Sequence, residues 1–153
     1  MIKALEHLVR LIRTRYRACV PIIVRMDAGF FDQKLMEDLE ELSVGYIIGG
    51  KLYGDITRQA DSAPEDAWSI YSNNEHNKWQ YLEMADCRGT WKRSRRAIFC
   101  RTLAEKGQCL LDFACTESIL YTNLAPDTEF GKKLQEDGHS DDPRSRIDHQ
   151  ALP

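Results

Sequence analysis

The chain has 153 residues and a formal net charge of -3 at pH 7. With 42% hydrophobic and 29% charged residues it has the composition of a globular protein, which excludes a fibrous or wholly disordered chain. It contains neither a run of about 20 apolar residues that could span a bilayer nor the apolar stretch of a secretory signal. We therefore expect a cytoplasmic protein that does not associate with membranes.

The cysteines form an odd set without a C-x-x-C pair, which favours reduced and mostly buried thiols over disulfides or a zinc site. They are Cys19, Cys87, Cys100, Cys109 and Cys115. The positive charges are segregated, because four arginines lie between residues 10 and 17 and five further cations lie in CRGTWKRSRR, residues 87–96. We call residues 87–96 the basic cluster.

The first third of the chain shows a strand–helix–strand pattern after an initial helix. Residues 2–16 have apolar side chains three and four positions apart, as in an amphipathic helix whose arginines largely face solvent. The run PIIVRM at 21–26 predicts a strand buried on both faces. A second helix is expected at about 33–42 with Asp32 as its N-cap, and YIIGG at 46–50 predicts a second buried strand. This order implies a right-handed βαβ unit with parallel strands.

The rest of the chain is predicted to be mainly loop and antiparallel strand. Residues 55–78 are polar and without sustained periodicity, so we expect a loop there. Short apolar segments separated by turn residues then predict hairpins or a small antiparallel sheet, at 79–85, 95–103, 107–113 and 118–124. The residues beyond 124 have too few apolar side chains to offset the entropy of ordering them.

Asp27 is the strongest candidate for a functional residue. It follows directly on a predicted strand, and ligands of open α/β sheets gather at the carboxyl ends of strands. Its neighbours Ala28 and Gly29 leave room for a ligand. The alternative is that Asp27 only caps the turn into the second helix, and its position alone does not decide between these interpretations.

The segment IIVRMDAGFFDQKLMEDLEELSVGYIIG at 22–49 resembles the region around the second catalytic aspartate of DDE-type insertion-sequence transposases. The resemblance rests on the combination of Arg-x-Asp-x-Gly-Phe at 25–30 and Tyr-Ile-Ile-Gly at 46–49. It continues in the Tyr-Thr-Asn-Leu sequence at 121–124 and covers about residues 1–125.

The resemblance implies an α/β fold with a partial ribonuclease H-like mixed sheet, flanking helices and a β-rich insertion. Residues 1–54 would be the core that carries the second catalytic aspartate, and residues 55–113 would be the insertion. Residues 114–125 would be a core strand, followed by a frayed or disordered tail at 126–153.

The same resemblance implies a chemistry. Three carboxylates in this family hold two Mg²⁺ or Mn²⁺ ions, which can activate a nucleophile and stabilise the leaving oxygen at a phosphodiester. Asp27 would be both catalytic residue and metal ligand. The implied partners are transposon-end DNA and either a second copy of the chain or an intact transposase.

Two expected motifs are not found. The strand with the first catalytic aspartate would precede residue 2, and no helix after residue 125 has the expected tyrosine, arginine and glutamate at spacings of three and four. Glu129 and Glu136 lack the arginine at that offset. The expectation is therefore a transposase fragment that is inactive by itself. One alternative is a non-catalytic remnant that binds DNA or dimerises, and another is a metal-dependent α/β phosphohydrolase that uses Asp27.

The basic cluster is the candidate DNA-binding segment, because cations can neutralise phosphates and a tryptophan can stack on an unpaired base. The competing interpretation is a solvated hairpin face with one tryptophan in the core. The candidate residues are Arg88, Trp91, Lys92, Arg93, Arg95 and Arg96.

Overall fold

The computed structural model describes residues 2–72, 78–103 and 117–126, which form three α-helices and a six-stranded sheet. The helices are α1 (Ile2–Arg15), α2 (Gln33–Glu41) and α3 (Gly54–Asp61). The strands are β1 (Ile23–Met26), β2 (Gly45–Gly49), β3 (Ser69–Ser72), β4 (Lys78–Asp86), β5 (Arg95–Leu103) and β6 (Glu117–Thr122). All of them lie in the first of two units into which the chain divides, residues 1–123.

The sheet is mixed, with the strand order β1-β2-β6-β5-β4-β3. Strands β1 and β2 are parallel, and every other pair of neighbours is antiparallel. The predicted mixed α/β fold and its βαβ unit are therefore confirmed. The antiparallel strands expected in the insertion do not form a separate sheet, because β5 pairs with β6 and so continues the sheet that contains β1 and β2.

Helix α2 begins where the sequence predicts. The side chain of Asp32 accepts a hydrogen bond of 2.9 Å from the backbone nitrogen of Leu35, which satisfies one of the free donors of the first turn. Leu35, Met36 and Leu39 lie on one side of this helix and are buried. This spacing of three and four residues is the amphipathic pattern that directs α2 into the core.

The core contains large side chains from one face of the sheet. Ile48 lies opposite Tyr121 in the β2–β6 pairing, and Phe99 lies opposite Ile119 in the β5–β6 pairing. These side chains and that of Tyr46 are almost completely inaccessible to solvent. Burial of a side chain such as Ile48 or Phe99 contributes about 1.5–3 kcal/mol, so this face fixes the register of the central strands.

Residues 55–78 are not the loop that their polarity predicts, because they include β3 and all of α3 after its first residue. Helix α3 buries only Ile56 and Ala60, a single pair four residues apart, which is too short a pattern to stand out in the sequence. Strand β3 forms along the edge of β4, with Ser69 opposite Tyr81. This segment is a strand because its backbone pairs with β4, and its own sequence has no strand-like alternation of apolar and polar residues.

Strand β1 is not buried on both faces, contrary to the prediction. It pairs with β2 alone among the described residues and therefore lies at an edge of the sheet, where Arg25 is exposed. Its apolar side chains are only half-buried. An edge strand has neighbours on one side only, which a run of apolar residues does not reveal.

One smaller expectation was also wrong. Cys19 and Cys87 are exposed and Cys100 is half-buried, so the described cysteines are not mostly buried. The arginines near the start of the chain are largely exposed, as expected, and Arg13 is the exception, because its guanidinium donates to the carbonyl oxygens of Leu42 and Ser43 at 2.6 and 2.9 Å. The strand predicted at 107–113 and the tail from residue 127 lie outside the described residues. No helix in the described part of the chain combines the length and the hydropathy needed to cross a membrane.

Candidate active site at the end of strand β1

Asp27 lies one residue beyond β1 and begins a short 3₁₀ turn, Ala28–Phe30. Its Oδ1 accepts a hydrogen bond of 2.9 Å from the backbone nitrogen of Gly29. Asp27 and the three residues of the turn are exposed. The capping role considered from the sequence is therefore present, and it coexists with an accessible carboxylate whose orientation is fixed by the turn.

Gly49 at the end of β2 allows the turn after Asp27 to lie against the neighbouring strand. A Cβ atom at this position would be 2.8 Å from the backbone nitrogen of Ala28 and 3.2 Å from the carbonyl carbon of Asp27. Real Cβ atoms essentially never come so close to backbone. The parallel pairing of β1 with β2 therefore places the backbone of Asp27 and Ala28 against Gly49, and only glycine, which lacks a Cβ, leaves enough space there.

Three aromatic rings lie next to the same turn. Phe31 packs on Tyr121 with ring centroids 4.8 Å apart, and Trp91 meets Tyr121 edge-to-face at 5.5 Å and Phe31 at 6.2 Å. Offset and edge-to-face geometries at these distances are favourable for aromatic pairs. The tryptophan of the basic cluster therefore packs against the residue that follows the Asp27 turn.

The first arginine of the basic cluster is held by two carboxylates. Arg88 donates to Asp86 at 2.8 Å and to Asp55 of α3 at 3.0 Å, and its guanidinium carbon is 4.3 Å from the ring centroid of Tyr53. Tyr121 completes the group by donating to Asp86 at 2.5 Å. Burial and the hydrogen bond to Asp86 raise the pKa of the Tyr121 hydroxyl, so this phenol remains protonated at neutral pH.

A second group forms around Glu40 of α2. Arg93 and Arg95 both pair with this carboxylate, and the hydroxyl of Tyr46 donates to it at 2.8 Å. The Arg95 side chain is only 3% exposed and its guanidinium carbon is 4.8 Å from the Trp91 ring centroid. Burial alone would raise the pKa of Glu40, but hydrogen bonds from Arg93, Tyr46 and Arg95 outweigh it and hold the pKa below its ordinary value of 4.5.

The remaining members of the basic cluster differ in environment. Arg96 pairs with Glu83 on β4, with Nε 2.9 Å from Oε2. Lys92 is exposed and makes no ion pair within the described part of the chain. Four of the five cations therefore form ion pairs with carboxylates of the same chain, which could not be predicted from the sequence. Apart from Asp86, which is two residues from Arg88, their partners lie 13 to 55 residues away, and no short motif joins them to the cations.

Metal ligands are the remaining element of the site. Within the described residues no group of three or more His, Cys, Asp and Glu side chains is placed to hold a metal ion. The second carboxylate oxygen of Asp27 makes no hydrogen bond to a described residue, which leaves it available as a hard oxygen ligand. One such ligand does not bind Mg²⁺ firmly, because this ion gives up its water reluctantly. The described residues alone do not form a metal centre.

A mixed α/β sheet with flanking helices is consistent with the DDE-type domain that the resemblance implied. The family model described as transposase DDE domain group 1 matches residues 1–138, and the chain belongs to this family. No curated protein matches the chain. This match confirms the expected family. Members of the family act on DNA and generally use divalent metal ions. The match does not assign a role to any individual residue of this chain.

Proposed function

We propose that this chain supplies Asp27 as the second catalytic carboxylate of a transposase that cleaves and joins DNA strands at transposon ends. The observation that carries the proposal is the exposed carboxylate at the carboxyl end of β1 in a chain of this family. The turn holds one oxygen through Gly29 and leaves the other for a metal ion. Mg²⁺ or Mn²⁺ would be the ion, since both prefer oxygen ligands.

Catalysis by this chain alone is not part of the proposal. Paired divalent ions activate a nucleophile and stabilise a leaving oxygen, but they require several placed carboxylates. Within the described residues Asp27 is not joined by two others. We therefore propose that the chain is inactive alone and contributes Asp27 to a site completed by other carboxylates. A second copy of the chain and an intact transposase are the two protein partners we predict.

Transposon-end DNA is the proposed nucleic-acid partner, and the basic cluster retains a proposed role in binding it. Lys92 and Arg93 extend into solvent, with 63% of the Arg93 side chain exposed, and can neutralise phosphates directly. Arg88, Arg95 and Arg96 are proposed to help mainly by fixing the hairpin that presents these two cations. Trp91 does the same through Phe31 and Tyr121.

The test is Mn²⁺ binding measured by electron paramagnetic resonance, which detects the loss of free aquated Mn²⁺. Wild-type protein and Asp27→Asn would be titrated with Mn²⁺ alone and then in the presence of DNA. The matched control is Asp61→Asn, which removes an exposed carboxylate at the end of α3. We expect weak binding by the wild type, strengthened by DNA because phosphate oxygens add ligands, and loss of that DNA-dependent part only in Asp27→Asn.

Equal Mn²⁺ binding by wild type, Asp27→Asn and Asp61→Asn would show that Asp27 is not a ligand of the proposed metal site. Two assays separate the alternatives. Turnover of p-nitrophenyl phosphate that disappears in Asp27→Asn would favour the phosphohydrolase. DNA binding without any influence of Mn²⁺ or of Asp27 would favour a remnant that binds DNA and has no catalytic role.

A further inference from the structure

We infer that the loop after β2, residues 51–53, together with Phe30, forms a contact surface for an unpaired nucleotide beside Asp27, with Tyr53 stacking on its base. This inference rests on the proposed function, because it names the part of the DNA that the site would hold. The surface is distinct from the basic cluster, and we call it the β2 rim.

The β2 rim lies at the same edge of the sheet as Asp27. Strands β1 and β2 are parallel neighbours with Met26 opposite Ile48, so the chain leaves both strands in the same direction. The segments that follow the two strands are in close contact at Gly49, because a Cβ atom there would lie 2.8 Å from the backbone nitrogen of Ala28. A DNA strand whose phosphate is held by a metal ion at Asp27 would therefore lie close to the residues that follow these two strands.

Three exposed apolar side chains lie in these two loops. Phe30 is 39% exposed, and Leu52 and Tyr53 are each 41% exposed. They make up three of the seven large hydrophobic side chains found exposed in the described residues; the others are Leu8, Leu11, Tyr16 and Ile70. Exposed apolar side chains that are grouped and bordered by polar residues are typical of interaction sites.

Positive charge beside these rings selects a nucleic acid over an apolar partner. Lys51 is exposed within the β2 rim, and Arg25 is exposed on β1 two residues before Asp27. A phosphate between two bases provides the negative charge that these cations fit, and every base offers a face for stacking. An aliphatic or acidic peptide would satisfy only one of the two features.

Tyr53 is the residue best placed to stack. The guanidinium of Arg88 lies 4.3 Å from its ring centroid and is itself fixed by Asp55 and Asp86 at 3.0 and 2.8 Å. One side of the ring is thus supported, while the ring remains 41% exposed. Trp91, by contrast, is in contact with Phe31, Tyr121 and Arg95 and is not exposed.

The experiment compares binding of two DNA probes, a blunt mixed-sequence duplex and the same duplex with a short unpaired extension that carries 2-aminopurine. Fluorescence of 2-aminopurine falls when it stacks on a ring. We expect Tyr53→Ala to weaken binding of the extended probe about tenfold, to leave the blunt probe unchanged and to abolish the quenching. Tyr53→Phe keeps the ring and should behave as wild type, and Tyr16→Ala removes an exposed tyrosine elsewhere and should have no effect.

A second pair of variants tests the phosphate contact. Lys51→Ala should lower the slope of log Kd against log salt by about one, whereas Lys3→Ala, an exposed lysine on α1, should not. One informative result is that Tyr53→Ala binds both probes as Tyr16→Ala does while DNA still strengthens Mn²⁺ binding through Asp27. That result would show that the β2 rim does not bind an unpaired nucleotide, and the proposed function would stand. If the wild-type chain binds neither probe, both proposals fail.

Discussion

At the scale of single residues, Glu40 joins α2 to two other parts of the domain, a role that the sequence does not reveal. Its side chain is 11% exposed and accepts hydrogen bonds from Tyr46, Arg93 and Arg95, which come from β2 and from the hairpin between β4 and β5. Arg95 is almost fully buried and keeps a buried nitrogen without a hydrogen-bond partner in the described structure. A buried cation depends on its carboxylate, because removing one partner leaves an uncompensated charge.

Replacing Glu40 should therefore destabilise the protein strongly. We expect Glu40→Gln to lower the free energy of unfolding at pH 7 by about 3 kcal/mol, measured by urea denaturation. Glu83→Gln is the matched control, because Glu83 forms its pair with Arg96 at a more exposed position and should cost less than about 1 kcal/mol. Equal losses in the two variants would contradict the assignment of Glu40 as a buried ion-pair partner.

The same carboxylate predicts a pH dependence. The folded pKa of Glu40 is below its ordinary value of 4.5, so the stabilisation it provides is complete above that value and is lost as the pH falls through the folded pKa. The urea midpoint of the wild type should decrease as the pH is lowered from 5 towards 3. In Glu40→Gln this decrease should be smaller, and an identical decrease in both proteins would show that other carboxylates account for it.

At the scale of elements, three side-chain contacts attach the hairpin between β4 and β5 to the rest of the domain. Arg88 reaches Asp55, Thr90 donates to Gln33 at 2.9 Å, and Trp91 packs on Phe31. These contacts come from α3, from the start of α2 and from the turn after Asp27. The hairpin thus supports the candidate site from the side, although it lies more than 50 residues away in the sequence.

Trp91 should be the main anchor of this hairpin. Trp91→Ala removes two aromatic contacts and the contact with Arg95, and we expect a loss of about 3 kcal/mol in the free energy of unfolding. Limited proteolysis should then cut within residues 87–94 sooner than in wild type. Lys92→Ala, one residue further on and exposed, should change neither measurement. A stable Trp91→Ala protein with a protected hairpin would contradict this role.

The elements that could be predicted from the sequence are those with a pattern of their own. Helix α2 has a capping residue and a buried stripe, and β5 was predicted with its observed bounds, because their local residues decide their structure. Helix α3 and β3 were missed because their structure depends on packing and on pairing with β4. For the site, the motif identified Asp27, whereas Gly49, Glu40 and Tyr53 gain their roles only from neighbours brought close by the fold.

At the scale of the whole molecule, the described sheet has two edge strands, β1 and β3. Free strand edges expose unpaired backbone groups and promote association with other chains. In β1 the exposed Arg25 lies in the middle of a four-residue strand whose other side chains are apolar. A charge at such a position is a common means of keeping an edge strand from pairing with another chain.

We expect the isolated chain to be prone to aggregation and Arg25 to limit it. Arg25→Val should accelerate the rise of light scattering at a given protein concentration, because valine favours strand pairing and removes the charge. Arg15→Val is the matched control, since it replaces an exposed arginine at the end of a helix. Similar scattering in the two variants would show that the β1 edge is not the site of association.

Gly49 determines how much variation the site can accept. All other amino acids add a Cβ, and that atom alone is enough to press on Ala28, so the size and polarity of the replacing side chain hardly matter. Neighbouring Gly50 is equally restricted for a different reason, because its Cβ would overlap the ring of Tyr121 and lie 2.8 Å from the side chain of Ile119, both of which are buried in the core. A library randomised at both codons should therefore retain glycine at 49 and at 50 almost without exception.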